Sequence, residues 1–216
     1  MNIHKPFSLV ALGVAIVVQS ACTHQKVERL TDTSPVVFKD VSDAVGLVTQ
    51  ANWKYGGPAV ADLNNDGHYD FLLSNYDTTP VQLFMGQADN RFNEVKNIFG
   101  KVDLHGISAG DYDADGDNDI LLSLGGGNGL KPQPQRLLRN DNGQYTDVTE
   151  EAGISKLGAR GRSVRWVDLD NDGDLDFMQV NAAKMVNETA PRNIIFENIG
   201  NGKFRYIKSP GFEEVE

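Results

Sequence analysis

The residues best equipped for chemistry in this chain stand in the nine-residue run from Asp168 to Asp176, D-L-D-N-D-G-D-L-D. Five carboxylates occupy every second position, and Gly173 stands near the middle. So dense a row of like charge needs a cation to stay compact. Oxygen ligands at the first, third and fifth positions suit Ca²⁺, a hard ion that takes about six to eight oxygens. The sixth-position glycine admits the sharp turn that lets those ligands converge.

The chain writes this loop twice more. Asp111 to Asp119 reads D-Y-D-A-D-G-D-N-D, and Asp62 to Asp70 reads D-L-N-N-D-G-H-Y-D. The starts are 49 and 57 residues apart, so the loop belongs to a repeating unit. An EF-hand shares the opening D-x-[DN]-x-[DN]-G, but it needs a bidentate Glu at the twelfth position and a helix on each side. Here the twelfth positions are Leu73, Leu122 and Gln179. The flanks also read as strands, with Val60, Ile107 and Val164 ahead and Phe71–Leu73, Ile120–Leu122 and Phe177–Val180 behind. The ninth-position aspartate can replace the missing twelfth ligand.

Composition agrees with an array of short strands. With 216 residues, 40% hydrophobic, the chain can pack a core, and its 22 glycines and many Asn-Gly and Asp-Gly pairs predict frequent turns. The formal charge is -10, yet 13 of the 30 acids lie in the three loops, so the acidity is mostly a metal-site signature. No nucleic-acid partner is expected, because there is no basic run and the bulk charge repels phosphate.

Residues 1–21 read as an export signal: Lys5, an apolar run from Phe7 to Val18, then Ser20, Ala21 and Cys22. The run is short of the roughly 20 residues a spanning helix needs. Cys22 is the only cysteine, so no intramolecular disulfide can form. Its place resembles that of the lipidated cysteine of bacterial lipoproteins, although Gln19 stands where that pattern prefers Leu. Membrane attachment is expected through a lipid on Cys22 only; the alternative is ordinary signal cleavage near Ser20 or Ala21, which leaves Cys22 a free thiol. Residues 22–35 are polar and aperiodic, a tether. Repeat grammar fills residues 36–216, in units of about 51–101, 102–157 and 158–210. Each unit holds a strand, the acidic loop, a second strand, a connection, and a closing hairpin, as at N-D-N-G (140–143). A segment at 36–47 twins with 144–154, and it predicts one further strand over Val36 to Val41.

Four strands per unit of about 50 residues is the arithmetic of a β-propeller blade. The run G-x-x-V-x-x-x-D-x-D-x-D-G-D-x-D-[FIL], followed by L-[LF]-x-N-x-G-x-[FY]-x-D-V-[ST], resembles the FG-GAP/VCBS-type repeat of integrin α-subunit propellers and many bacterial surface proteins. The linking F-x-D-V-[ST]-x-x-x-G-[LI] element is most similar to the ASPIC/UnbV-type (cartilage acidic protein-like) subgroup. The resemblance implies an all-β, propeller-type array of about three four-stranded blades with up to three structural Ca²⁺. Carried over by position, it implies side-chain ligands Asp62, Asn64, Asp66 and Asp70; Asp111, Asp113, Asp115 and Asp119; and Asp168, Asp170, Asp172 and Asp176. The carbonyls of His68, Asp117 and Asp174 complete the shells. The first loop, with Asn64 and no seventh-position acid, is expected to bind more weakly. Three blades are fewer than the four to eight of typical propellers. The expected array is open, completed by other blades or self-associating.

Other motifs carry less. Gly106-Ile107-Ser108-Ala109-Gly110 matches G-x-S-x-G, but it leads into an acidic loop where a nucleophile elbow needs a helix. The glycines at 125–129 lack the G-K-[ST] ending of a phosphate loop. No His/Cys/Glu cluster has zinc spacing. Trp53 and Trp166 are expected in the core. The expectation is a non-enzymatic module that binds a protein or glycan partner at the cell surface or in the periplasm, through the connections at 75–80, 125–134 and 181–191. The alternative is an accessory domain of a polysaccharide-acting hydrolase or lyase.

Overall fold

The computed structural model describes residues 37–49, 57–74, 80–96, 99–126, 131–182 and 193–213. The signal segment, Cys22, the tether, Trp53 and most of the three connections lie outside them. The chain divides into two units, Met1–Lys39 and Asp40–Glu216, and the second carries every described element.

That unit holds twelve described strands. They are β1 (Ala59–Ala61), β2 (Asp70–Leu73), β3 (Gln82–Gly86), β4 (Phe92–Val95), β5 (Leu104–Gly110) and β6 (Asp119–Leu124). The rest are β7 (Arg136–Asp141), β8 (Gln144–Asp147), β9 (Gly161–Val167), β10 (Asp176–Asn181), β11 (Asn193–Asn198) and β12 (Phe204–Ile207). They form three four-stranded antiparallel sheets, β1–β4, β5–β8 and β9–β12, each in chain order. These are the three expected blades of a partial β-propeller.

The blades stack through two apolar layers. Leu72 and Leu83 of the first blade pack with Ile120, Leu122 and Leu138 of the second. Leu121 and Leu137, on the second blade's opposite face, pack with Val164, Phe177, Ile194 and Phe204 of the third. The middle blade is therefore covered on both faces, and all six residues of β6 are buried. A strand buried on both faces reads as a near-continuous apolar run, as I-L-L does here. In the first blade β2 alternates buried and half-buried residues. Trp166 does join the core, stacked on Tyr112 at 6.1 Å and edge-on to Phe177 at 5.8 Å.

Turn chemistry follows the sequence. Asn142 and Gly143 join β7 to β8 with φ of 54° and 85°, the positive values a tight hairpin demands. One expectation fails: residues 37–41 form no strand, and Phe38 is 91% exposed. Their twin at 144–147 is a strand because β7 pairs with it, whereas 37–41 have no third strand beside them among the described residues. Helix α1 (Ser42–Val45) follows instead and ends at Gly46 with φ 86°. The Gly46 backbone lies so close to the Phe92 carbonyl that a Cβ would fall 2.5 Å from that oxygen. A second short helix, α2 (Pro210–Glu213), follows β12.

Candidate metal centres

The three acidic loops all join the first strand of a blade to the second, so they lie at one end of the stack. Each has the same local fold. Positions four and six are left-handed in every copy: Asn65, Ala114 and Asn171 at φ 57–61°, and Gly67, Gly116 and Gly173 at φ 86–97°. Two such residues fold the carboxylates of positions one, three and five to one side.

Backbone amides then clamp the first-position acid. Asp62 accepts from the Asp66 and Gly67 N–H groups at 3.1 and 2.8 Å. Asp111 does the same with Asp115 and Gly116 at 3.1 and 3.0 Å. In the third loop Asp168 takes the Asn171 N–H at 2.7 Å. The fifth-position acids Asp66, Asp115 and Asp172 accept from the amides of His68, Asp117 and Asp174 at 2.9–3.1 Å.

One oxygen each from Asp111, Asp113 and Asp115 lies within 4.8 Å of the others, and so do oxygens of Asp168, Asp170 and Asp176. Two ligands of one Ca²⁺ at about 2.4 Å each cannot stand farther apart than roughly 4.8 Å, so both groups fit a single ion. Asp113 Oδ1 and Asp174 Oδ1 are also buried with no hydrogen-bond partner, the state expected of an oxygen reserved for a cation. Like charge adds to the case. Burial, then Asp115 and Asp111, push the Asp113 carboxyl above its usual range. Burial and Asp172 push Asp174 up to about 6, and Asp170 rises for the same two reasons.

The first loop differs chemically. Asn64 donates from Nδ2 to Asp66 Oδ2 at 3.0 Å and accepts the Asp66 N–H at 3.2 Å. The His68 amide and Asn64 together hold Asp66 below the ordinary carboxylate range. An amide at the third position thus ties the loop without an ion, where an aspartate would repel its neighbour.

The ninth-position acids do more than a ligand role requires. Asp70, Asp119 and Asp176 are at most 1% exposed. One oxygen of each accepts the second-position N–H of its own loop, from Leu63, Tyr112 or Leu169, at 2.8–3.1 Å. The other accepts an N–H from the third strand, at Gly86, Asn140 or Asn198, at 2.8–2.9 Å. Each is a staple between loop and sheet. Asp119 is buried deeply enough to be pushed up to about 7 despite its two donors. Asp117 also turns aside from a purely local role, accepting from the Asn142 N–H at 2.7 Å and from Asn65 Nδ2 of the neighbouring loop at 2.5 Å.

A feature with no counterpart in the sequence reading binds blade to blade. Asn140 Nδ2 donates to Leu63 O of the preceding loop at 2.8 Å and to Asn118 O of its own loop at 3.0 Å. Asn198 repeats this, with Tyr112 O at 2.9 Å and Leu175 O at 3.4 Å. The signal was the Asn that recurs in L-L-R-N and I-F-E-N. At the other end of the stack His105, 5% exposed, lies 2.9 Å from Asp103 Oδ1 and receives a hydrogen bond from Arg162 Nη1 at 2.7 Å. With Nδ1 accepting, Nε2 carries the proton toward Asp103. Ser108 sits inside β5, its hydroxyl accepting from Trp166 N at 3.4 Å, so no elbow forms there. A cleft of about 110 Å³ opens beside the second loop, lined by Tyr112, Asp113, Arg139, Glu151 and Gly202.

Strand–acidic loop–strand units in four-stranded blades define a propeller-type repeat protein. The family model of the FG-GAP-like repeat matches residues 62–122 and 124–178, more than half of the chain, and the chain belongs to that family. No curated protein matches it.

Proposed function

We propose that this is an exported, calcium-stabilised, non-enzymatic propeller module that binds a protein or glycan partner at the cell surface or in the periplasm. The observation that carries the metal is the convergence of Asp111, Asp113 and Asp115 within 4.8 Å, with one buried oxygen of Asp113 unpartnered. In the second and third loops Asp111, Asp113 and Asp115, and Asp168, Asp170 and Asp176, would hold the ion. Bound there, Ca²⁺ supplies charge neutralisation and a fixed loop shape. Backbone amides of the loops are engaged by the first- and fifth-position carboxylates in building the turn, which favours architecture over catalysis.

Support for the partner is topological. The connections β2–β3, β6–β7 and β10–β11 all leave the end of the stack opposite the acidic loops, and scaffolds of this kind bind through such variable loops. The cluster of Asp103, His105 and Arg162 belongs to that end. Export and anchoring rest on the apolar run and Ser20-Ala21-Cys22. Lipidation at Cys22 predicts membrane partitioning that Cys22→Ser abolishes; mass spectrometry finding an unmodified N-terminus at Cys22 would exclude it. For the metal, calorimetric titration should register up to three Ca²⁺ per chain and a higher melting temperature, since an ion that binds only the folded state stabilises it. No heat at millimolar Ca²⁺ refutes the assignment.

A further inference from the structure

One side chain of the second loop is not explained by the repeat. The second loop position is leucine in the other two copies, Leu63 and Leu169, and its backbone N–H staples the ninth-position acid in all three. In the middle copy the residue is Tyr112. Its ring lies parallel to Trp166 at 6.1 Å and against Phe204 at 5.8 Å, which leaves it 4% exposed. Leu63, 3% exposed, shows that an apolar side chain alone serves the corresponding place between the first two blades. Tyr112 is hydrogen-bonded only through its backbone, to Asp119 and Asn198, and its hydroxyl meets no partner among the described residues. A polar group carried on a buried ring without a partner is costly, so the hydroxyl needs a reason outside the fold.

Tyr112 lines the cleft of about 110 Å³ between the second and third blades. Opposite it stands the β11–β12 hairpin, where Asn201 and Gly202 take φ of 55° and 66°. A Cβ on Gly202 would lie 3.4 Å from the Tyr112 oxygen, so glycine keeps the space beside the hydroxyl open. Val148 and Ala152, both buried, give the cleft an apolar side. The charges around it are matched within the chain. Arg139 gives Nε and Nη2 to Asp141 at 3.1–3.2 Å, and Glu151 pairs with Lys203 at 3.4 Å. Asp113 belongs to the second metal centre, where an ion would neutralise it. What the cleft offers a ligand is therefore hydrogen bonding beside an apolar surface, with no unpaired charge to select an ion. A sugar fits that description, since each of its hydroxyls donates and accepts as the Tyr112 hydroxyl does, while its C–H face covers apolar side chains. Pockets that enclose drug-sized ligands measure roughly 300–1,000 Å³, so this cleft admits the edge of one ring.

We propose that the cleft between the second and third blades binds one neutral pyranose unit, with the Tyr112 hydroxyl and the Asn201 amide bonding its hydroxyls. The site lies at the acidic-loop end, apart from the connections proposed above to hold a partner. It rests on the calcium reading only in that the ion neutralises Asp113.

The test is amide NMR of the full chain carrying Cys22→Ser, in saturating Ca²⁺. The probes are the methyl glycosides of glucose, galactose, mannose and N-acetylglucosamine, with acetate and methylammonium as charged fragments. At least one glycoside should shift the Gly202 and Ala152 signals and saturate at millimolar concentration, while acetate and methylammonium leave them in place. Tyr112→Phe keeps the ring and should weaken that glycoside about fivefold, the worth of one neutral hydrogen bond. Asn201→Gly keeps the left-handed turn and should weaken it by a similar factor. Circular dichroism and calorimetric Ca²⁺ titration of each form show a failure of folding or of the metal reading separately. Silence from all four glycosides, equal shifts from acetate or methylammonium, or unchanged affinity in either folded variant overturns the inference.

Discussion

Replacing Asn140 by alanine removes the bond between the first two blades together with two bonds inside the second. The side chain is fully buried, and it makes three hydrogen bonds: Nδ2 to Leu63 O and Asn118 O, and Oδ1 from Gly143 N at 2.7 Å. Alanine removes the partner of all three groups, of which the Leu63 carbonyl is buried, Asn118 half-buried and Gly143 at an exposed turn. Each buried polar group left unsatisfied costs about 1–3 kcal/mol, and partial rescue by water at the Gly143 turn lowers the sum. The expected loss is about 4 kcal/mol. For a folded unit of this size, 1 kcal/mol shifts the melting temperature by about 2–4 °C, so a fall of roughly 8–16 °C follows. Urea unfolding and calorimetry in saturating Ca²⁺ measure it, with exposed Asn93→Ala on β4 as the control at under about 0.5 kcal/mol. Asn198→Ala should match Asn140→Ala within about 1 kcal/mol. Losses under about 1 kcal/mol for both would show that the layers between blades are held by apolar contact alone.

Three further outcomes are expected. Asp170→Ala should weaken Ca²⁺ binding by at least tenfold, and Asn64→Ala by less than threefold, since only the first removes charge from a carboxylate group that converges; titration calorimetry showing the reverse order contradicts the ligand assignment. In metal-free protein, Asp119 is raised to about 7 by burial. The fold therefore favours its neutral form, and this contribution to stability is complete below about pH 4 and lost as the pH rises through 7. Calorimetry in EDTA should show the melting temperature rising from pH 8 to pH 5, and a fall over that interval would refute the sign. Ala114 holds φ 58° where the other loops have Asn65 and Asn171; Ala114→Asn should stabilise by about 0.5–1 kcal/mol in denaturant melts, because left-handed backbone costs alanine about 1–2 kcal/mol.

The repeat was legible in the sequence because its signals are local. Alternating aspartates, period-two strands and an Asn-Gly hairpin each act within about ten residues, and all three loops and their strands stand where those patterns put them. What escaped notice acts across the chain. The bonds from Asn140 to Leu63 O and from Asn198 to Tyr112 O join residues 77 and 86 apart, a separation at which no periodicity survives. The asparagines looked like turn formers beside a hairpin. Asp70, Asp119 and Asp176 were legible as acids but not as staples, because the third-strand amides that engage them are set by sheet register. The strand expected over Val36 to Val41 failed for a related reason: pattern announces a strand, but only a neighbour makes one. The left-handed fourth position went unread: Asn65 and Asn171 are residues that favour it, and Ala114 is not.

The stacking of the blades also dictates how the molecule comes apart. Blades that touch only their neighbours behave as a one-dimensional chain of coupled units. The outer units each lose one contact when they open, and the middle unit must lose two. Amide protons of β6, buried along its whole length, should therefore exchange with solvent only through global unfolding. Those of β1 and β12 escape through fraying that leaves the rest intact. Proteases would then trim the stack from its ends inward, and the last fragment to survive is the one that carries the second loop.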